Sequence, residues 1–161
     1  MRINKKYLNW CAKQKKGIRI IKGSKNLQKT YLGKSNESIR SMEINAREGI
    51  SEWAISASYY AKYFAIYALL SRIGVKCEIH DCTIALFSYL FSDELEPEII
   101  ESLKQAKQER IEVQYYTTIV DVNIHQMVVE TRRFVLKIEE IIDGLNTQRI
   151  TNIQKKLKAA L

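Results

Sequence analysis

The stretch SEWAISASYYAKYFAIYALLSRIG, residues 51–74, decides the fold. Trp53, Ala57, Tyr60, Ala61, Phe64, Tyr67, Ala68 and Leu70 recur at spacings of three and four, which lines up one face of a helix. The opposite side carries Ala54, Ile55, Tyr59, Tyr63 and Ile66. A helix apolar on nearly all sides must be buried on nearly all sides. Ser51 stands where an N-cap is wanted, with Glu52 in the first turn, Arg72 in the last turn and Gly74 just past it. At 1.5 Å per residue the rod is about 35 Å long, enough for the central post of a helical bundle. Lys62 at its middle, flanked by Ser56 and Ser58, and tyrosines spread along its length argue against a membrane span, which gathers its aromatic residues at the two ends. Ala57, Ala61, Ala65 and Ala68 read as a seam where another helix comes close.

Around this post the chain has little punctuation. One proline and six glycines in 161 residues, with few alternating stretches, point to an all-α protein with a single core. A short helix is expected over residues 3–16, ended by Gly17, and GIRIIKG (17–23) reads as a short extended piece. Ser24 is placed to cap a helix running to about Glu48. After Gly74, Asp81 is expected to cap a short helix over Cys82–Phe91. Pro97 suits the first turn of a helix ending near Tyr116. Val122–Leu145 has a clear period near 3.6, and Ile150–Leu161 reads as a short basic amphipathic helix.

Charge is unevenly placed. Residues 1–34 hold eleven basic residues and no acidic one, residues 35–148 have a net charge of −7, and residues 149–161 hold four basic residues and none acidic. The body is mildly acidic and its two ends are basic, so a polyanion would be met at the ends. The N-terminus has no apolar run of a signal peptide. Three cysteines, an odd number, argue against a disulfide framework and for a reducing, cytoplasmic compartment.

Several chemistries lack their motif. No phosphate-binding loop, dinucleotide fingerprint or hydrolase nucleophile elbow occurs. CEIHDC (77–82) sets Cys77, His80 and Cys82 close together, with Cys11 as a distant fourth sulfur, but no second paired knuckle closes a zinc site. No metal and no cofactor is expected. The stretch KQERIEVQYY (107–116) is more informative, because it puts Lys107, Arg110, Tyr115 and Tyr116 at the end of a helix.

The aromatic-rich helix 51–74, then EIHDCTIALFSYLF with its histidine opening a short helix, then QERIEVQYY with its arginine near a helix end, resembles the HEPN domain family over roughly residues 24–146. The resemblance implies an up-and-down bundle of four to five helices with short extra ones, usually a homodimer. It also implies nucleotide- or RNA-related work, often beside a minimal nucleotidyltransferase in toxin–antitoxin pairs. Active members are metal-independent ribonucleases with an arginine followed four to six residues later by histidine. Here the arginine is Arg110, and Tyr115 stands at the histidine's place; His125 is too far along. Histidine suits proton transfer near neutral pH, with a pKa of about 6.5, whereas tyrosine is near 10. Arg110 can grip a phosphate in a bidentate way.

Residues 24–161 are therefore expected to form the bundle, with residues 1–23 as a basic extension. The expected function is RNA or nucleotide binding with a nucleotidyltransferase partner. Arg110 and Lys107 hold phosphate and Tyr115 and Tyr116 orient or stack. Lys13, Lys15, Lys16 and Arg19, interleaved with Tyr7 and Trp10, add affinity. A ribonuclease using Arg110 and Tyr115 is the first alternative and a non-catalytic adaptor the second. Residues five apart point about 140° apart on an ideal helix, so Arg110 and Tyr115 can face one ligand only if the helix ends or bends there, or if two subunits each supply a face.

Overall fold

The computed structural model describes residues 5–116 and 120–161. Residues 3 and 4 of the expected first helix lie outside them. The elements are α1 (Lys5–Lys13), β1 (Arg19–Ile20), α2 (Lys25–Arg47), α3 (Ser51–Ile73), β2 (Val75–Lys76), α4 (His80–Phe91), α5 (Pro97–Tyr115), α6 (Ile124–Asp143) and α7 (Thr147–Lys158). The architecture is an all-α bundle with one two-stranded antiparallel ribbon, Arg19 opposite Lys76 and Ile20 opposite Val75. No helix among the described residues is long and apolar enough to cross a membrane.

The all-round apolar pattern of α3 has the outcome it demands. The helix packs against α2, α5 and α6, and from Ala54 to Ile73 most of its side chains are buried. Tyr59, Ile66, Leu69, Leu70 and Ile73 are fully enclosed beside Phe87, Phe91, Phe134 and Leu103. Each such aliphatic side chain contributes about 1.5–3 kcal/mol relative to exposure. A smaller cluster, Met42, Ala54, Ile55, Ala57 and Met127, closes the end where α2 finishes and α6 begins. Polar groups on α3 find partners across the seams. The Ala61 carbonyl accepts from Ser35 Oγ at 2.7 Å, and Ser58 and Thr131 share a hydroxyl contact of 2.8 Å.

Caps fall mostly where the sequence puts them. Ser24 accepts from the Leu27 N–H, and Gly74 takes the left-handed conformation at φ 77°. Two expected caps are corrected. Ile50, not Ser51, is the N-cap of α3, and Ile79, not Asp81, is that of α4. Neither makes a side-chain cap; each helix starts one or two residues early, which leaves Ser51 and Asp81 inside the first turn. The last helix also starts earlier than expected, at Thr147, capped by the Asn146 side chain.

The amino-terminal segment joins the same core. Leu8, Cys11 and Ile18 are buried in the main cluster. Cys11 and Cys82 form a disulfide, with Cα atoms 5.7 Å apart, and Cys77 is the free, buried thiol. This corrects the expectation drawn from the odd cysteine count. One pair plus one spare is also odd, and the pair is made only because α1 packs on α4, 71 residues away in sequence. Two of the sulfurs weighed as zinc ligands are thereby bonded to each other.

Candidate functional site

Tyr59, Tyr63 and Tyr67 lie one helical turn apart on α3, and each reaches the segment that opens α4. The Tyr67 hydroxyl donates to the Cys77 carbonyl. The Tyr63 hydroxyl donates to Thr83 Oγ1 at 3.4 Å, while the single proton of the Thr83 hydroxyl is shared between the Cys77 and Ile79 carbonyls, both at 3.0 Å. The Tyr59 hydroxyl meets His80 Nδ1 at 2.5 Å. The His80 ring stacks on Tyr63 with centroids 4.2 Å apart and planes 11° from parallel. This ladder fixes the imidazole at the first residue of α4.

Arg110 comes to the same place from α5. Its guanidinium lies over the rings of Tyr60, Tyr59 and Tyr115, at 5.1, 5.6 and 5.9 Å from their centroids. Such contacts hold a cation without consuming its hydrogen-bond donors. Its Nε is buried and has no hydrogen-bond partner among the described residues. A buried donor left unpaired is unfavourable, and the terminal nitrogens of the same guanidinium make no hydrogen bond with the described residues either, so the group has donors left for an oxyanion.

The electrostatics follow from this crowding. Burial, then the positive charges of Arg110 and Lys107, hold His80 below its ordinary value of 6.5, with Asp81 opposing. The imidazole is therefore neutral near pH 7. Burial pushes the Tyr59 phenol far above its ordinary 10, so it keeps its proton. The phenol O–H can donate to Nδ1, which leaves Nε2 as a donor, or it can accept from Nδ1–H, which leaves Nε2 as a base.

The expected residues fall into groups. Arg110 and Tyr115 do meet, because α5 ends at Tyr115 and its last turn lets the ring swing toward the guanidinium. Tyr116 is the C-cap and is open to solvent. Lys107 is ion-paired with Asp81 on the first turn of α4. Lys13, Lys15 and Lys16 are exposed at the end of α1 and just after it. Arg19 pairs with Glu78 at 3.3 Å. The Cys11–Cys82 bond fastens α1 two residues from His80. His80, Tyr59 and Asp81 are outside the set expected from sequence. The signal for them lay in CEIHDC, read as metal-ligand spacing and as the opening of a short helix but not as a site, and in the four-residue tyrosine period of α3.

A model of the HEPN domain matches residues 28–150, well over half of the chain. The protein belongs to the HEPN family. The match begins inside α2 and ends inside α7, so α1, the ribbon strand β1 and the first turn of α2 lie outside it. Within this HEPN protein the matched region contains Arg110, His80 and all the tyrosines that hold them. No curated protein matches the chain. Membership of the family supports a nucleotide- or RNA-related function in general terms.

Proposed function

We propose that this HEPN protein binds RNA or a nucleotide by gripping phosphate at Arg110, as a homodimer working beside a minimal nucleotidyltransferase in a toxin–antitoxin-like pair. One observation carries the reading: Arg110 is framed by three tyrosine rings while its buried Nε has no partner among the described residues. An enclosed arginine with donors to spare is built for an oxyanion. The exposed lysines 13, 15 and 16 add long-range attraction. In filter retention with EDTA present, RNA binding falls at least ten-fold for Arg110→Ala and weakens steeply with salt. Affinity indifferent to both would overturn the reading. Co-purification with the nucleotidyltransferase and a mass measurement in solution test the partner and the dimer.

A second reading rests on His80. Cleavage of RNA without a metal needs a base for the 2′-hydroxyl and a cation for the charged phosphorane. A neutral imidazole beside Arg110 suits those tasks better than the exposed Tyr115 phenol. His80 Nε2 would take the 2′-hydroxyl proton as O2′ attacks phosphorus and the bond to O5′ breaks. Cleavage in EDTA that vanishes in both His80→Ala and Arg110→Ala would support this reading. Retention without cleavage leaves the binding module.

A further inference from the structure

α3 and α5 run antiparallel, with Lys62 meeting Ser102 and Ser56 meeting Gln114. Between the first turns of α3 and the last turn of α5 is a cleft of about 320 Å³, lined by Glu52, Trp53, Ser56, Val113, Gln114 and Tyr115. Two large rings stand in it largely exposed, Trp53 at 63% and Tyr115 at 69%, on a helix pair whose other apolar side chains are mostly covered. Tyr115 is shared: it walls the cleft and lies 5.9 Å from the Arg110 guanidinium. Arg110 does not line the cleft but stands beside it, next to the shared Tyr115.

The cleft is also polarised. Its one ionised lining residue is Glu52, a carboxylate, and the cation Arg110 stands beyond Tyr115. A phosphate is repelled from the Glu52 end and drawn to the Arg110 end. What fits between is a flat ring with an apolar face and an edge of N–H donors. Gln114 is held in place by donating Nε2 to Ser56 Oγ at 3.1 Å, so the floor is fixed before a ligand arrives.

We infer that this cleft is a nucleobase subsite: Trp53 and Tyr115 stack a purine whose phosphate rests on Arg110, and Glu52 reads its edge. Guanine is favoured over adenine. Its Watson–Crick edge presents adjacent N1–H and N2–H donors to a carboxylate, while adenine places an acceptor at N1. The inference rests on the phosphate role of Arg110 proposed above and names the ligand class for it.

The test uses the full chain carrying Trp10→Phe, which leaves Trp53 as its sole tryptophan, titrated with GMP, AMP, guanosine and inorganic phosphate. GMP quenches Trp53 emission saturably, AMP binds about ten-fold more weakly, and phosphate competes with GMP without quenching. Glu52→Gln weakens GMP about ten-fold and leaves phosphate unchanged. Removing the indole, Trp53→Leu, weakens GMP roughly ten-fold or more by equilibrium dialysis, as expected for the loss of one stacked face. GMP binding that needs Arg110 but leaves Trp53 emission unchanged, or ignores Glu52→Gln, overturns the subsite and spares the phosphate site. Absence of both GMP and phosphate binding overturns the two together. Emission that follows protein concentration and ignores nucleotide shows a second copy covering the cleft, and also overturns the inference.

Discussion

The Tyr59 hydroxyl lies 2.5 Å from Nδ1 of His80, which ties the first residue of α4 to the middle of α3. Tyr59 belongs to the buried post of the bundle; His80 is the first residue of the short helix α4. Through this contact the orientation of the imidazole is inherited from the core. Tyr59 also carries the Arg110 guanidinium on its ring. One fully buried tyrosine thus positions both an imidazole and a cation.

The neutral state of His80 should make stability depend on pH. Its folded value lies below 6.5, so between that value and 6.5 the unfolded chain binds the proton and the folded chain does not. Stability from this group is fully present above pH 6.5 and is lost as pH falls through the folded value. Thermal melts from about pH 7.5 to 5 should show the wild type losing more Tm than His80→Gln. Parallel curves would mean that the imidazole is not held neutral.

Lys62 acts in the same sense in a more alkaline window. It is buried on α3, donates to the Ser102 carbonyl at 3.2 Å and lies 5.9 Å from the Phe134 centroid. Burial lowers it from 10.5 to about 8. Below pH 8 the folded protein holds a charge in its interior; between 8 and 10.5 the unfolded chain keeps the proton longer, so folding becomes easier as pH rises. Lys62→Met removes the charge with little change of volume. It should stabilise by roughly 1–3 kcal/mol near neutral pH, with the gain shrinking above pH 8. Denaturant unfolding at pH 7 and pH 10 measures both.

The Cys11–Cys82 bond closes a loop of 71 residues. Loop-closure entropy for that length corresponds to roughly 4 kcal/mol. A reductant, or the pair Cys11→Ala with Cys82→Ala, should lower Tm by several degrees and expose α1 to protease before the rest of the chain. A melt insensitive to reductant would show that α1 is held by packing alone.

Gly74 is required by conformation and by space. At φ +77° a Cβ would meet the Ile21 carbonyl oxygen at 2.6 Å. Gly74→Ala should therefore be destabilising by about 2 kcal/mol or more. Gly33, inside α2, has nothing within 4 Å of an added Cβ. Gly33→Ala should stabilise by about 0.5–1 kcal/mol. Chemical melts of the two variants should move in opposite directions.

The bundle was legible because α3 states its own burial: no amphipathic alternative exists for a helix with Tyr59, Tyr63 and Ile66 behind Ala57, Ala61 and Ala68. Caps at Ser24 and Gly74 were legible because local chemistry alone decides them. Arg110 was found through the family's motif. His80 was not, because its role depends on a tertiary contact between residues 21 apart, and a sequence offers only the spacing CEIHDC, which suits a metal as well as a junction. The disulfide was hidden for the same reason. Cys11 and Cys82 become neighbours only once α1 has packed on α4.

The amino-terminal segment is held by the sulfur bridge at Cys11, by buried Ile18 and by backbone pairing of Arg19 and Ile20 with Lys76 and Val75. For the RNA ligand proposed above, the backbone carrying the amino-terminal charges would already be in place. The backbone entropy of arranging Lys13, Lys15 and Lys16 is met during folding, not at encounter. Such a ligand would meet lysines carried on an anchored backbone, so association should resemble the docking of a preformed array. Its signature would be a large release of bound counterions with only a small change in heat capacity, the reverse of what a tail that folds on contact produces.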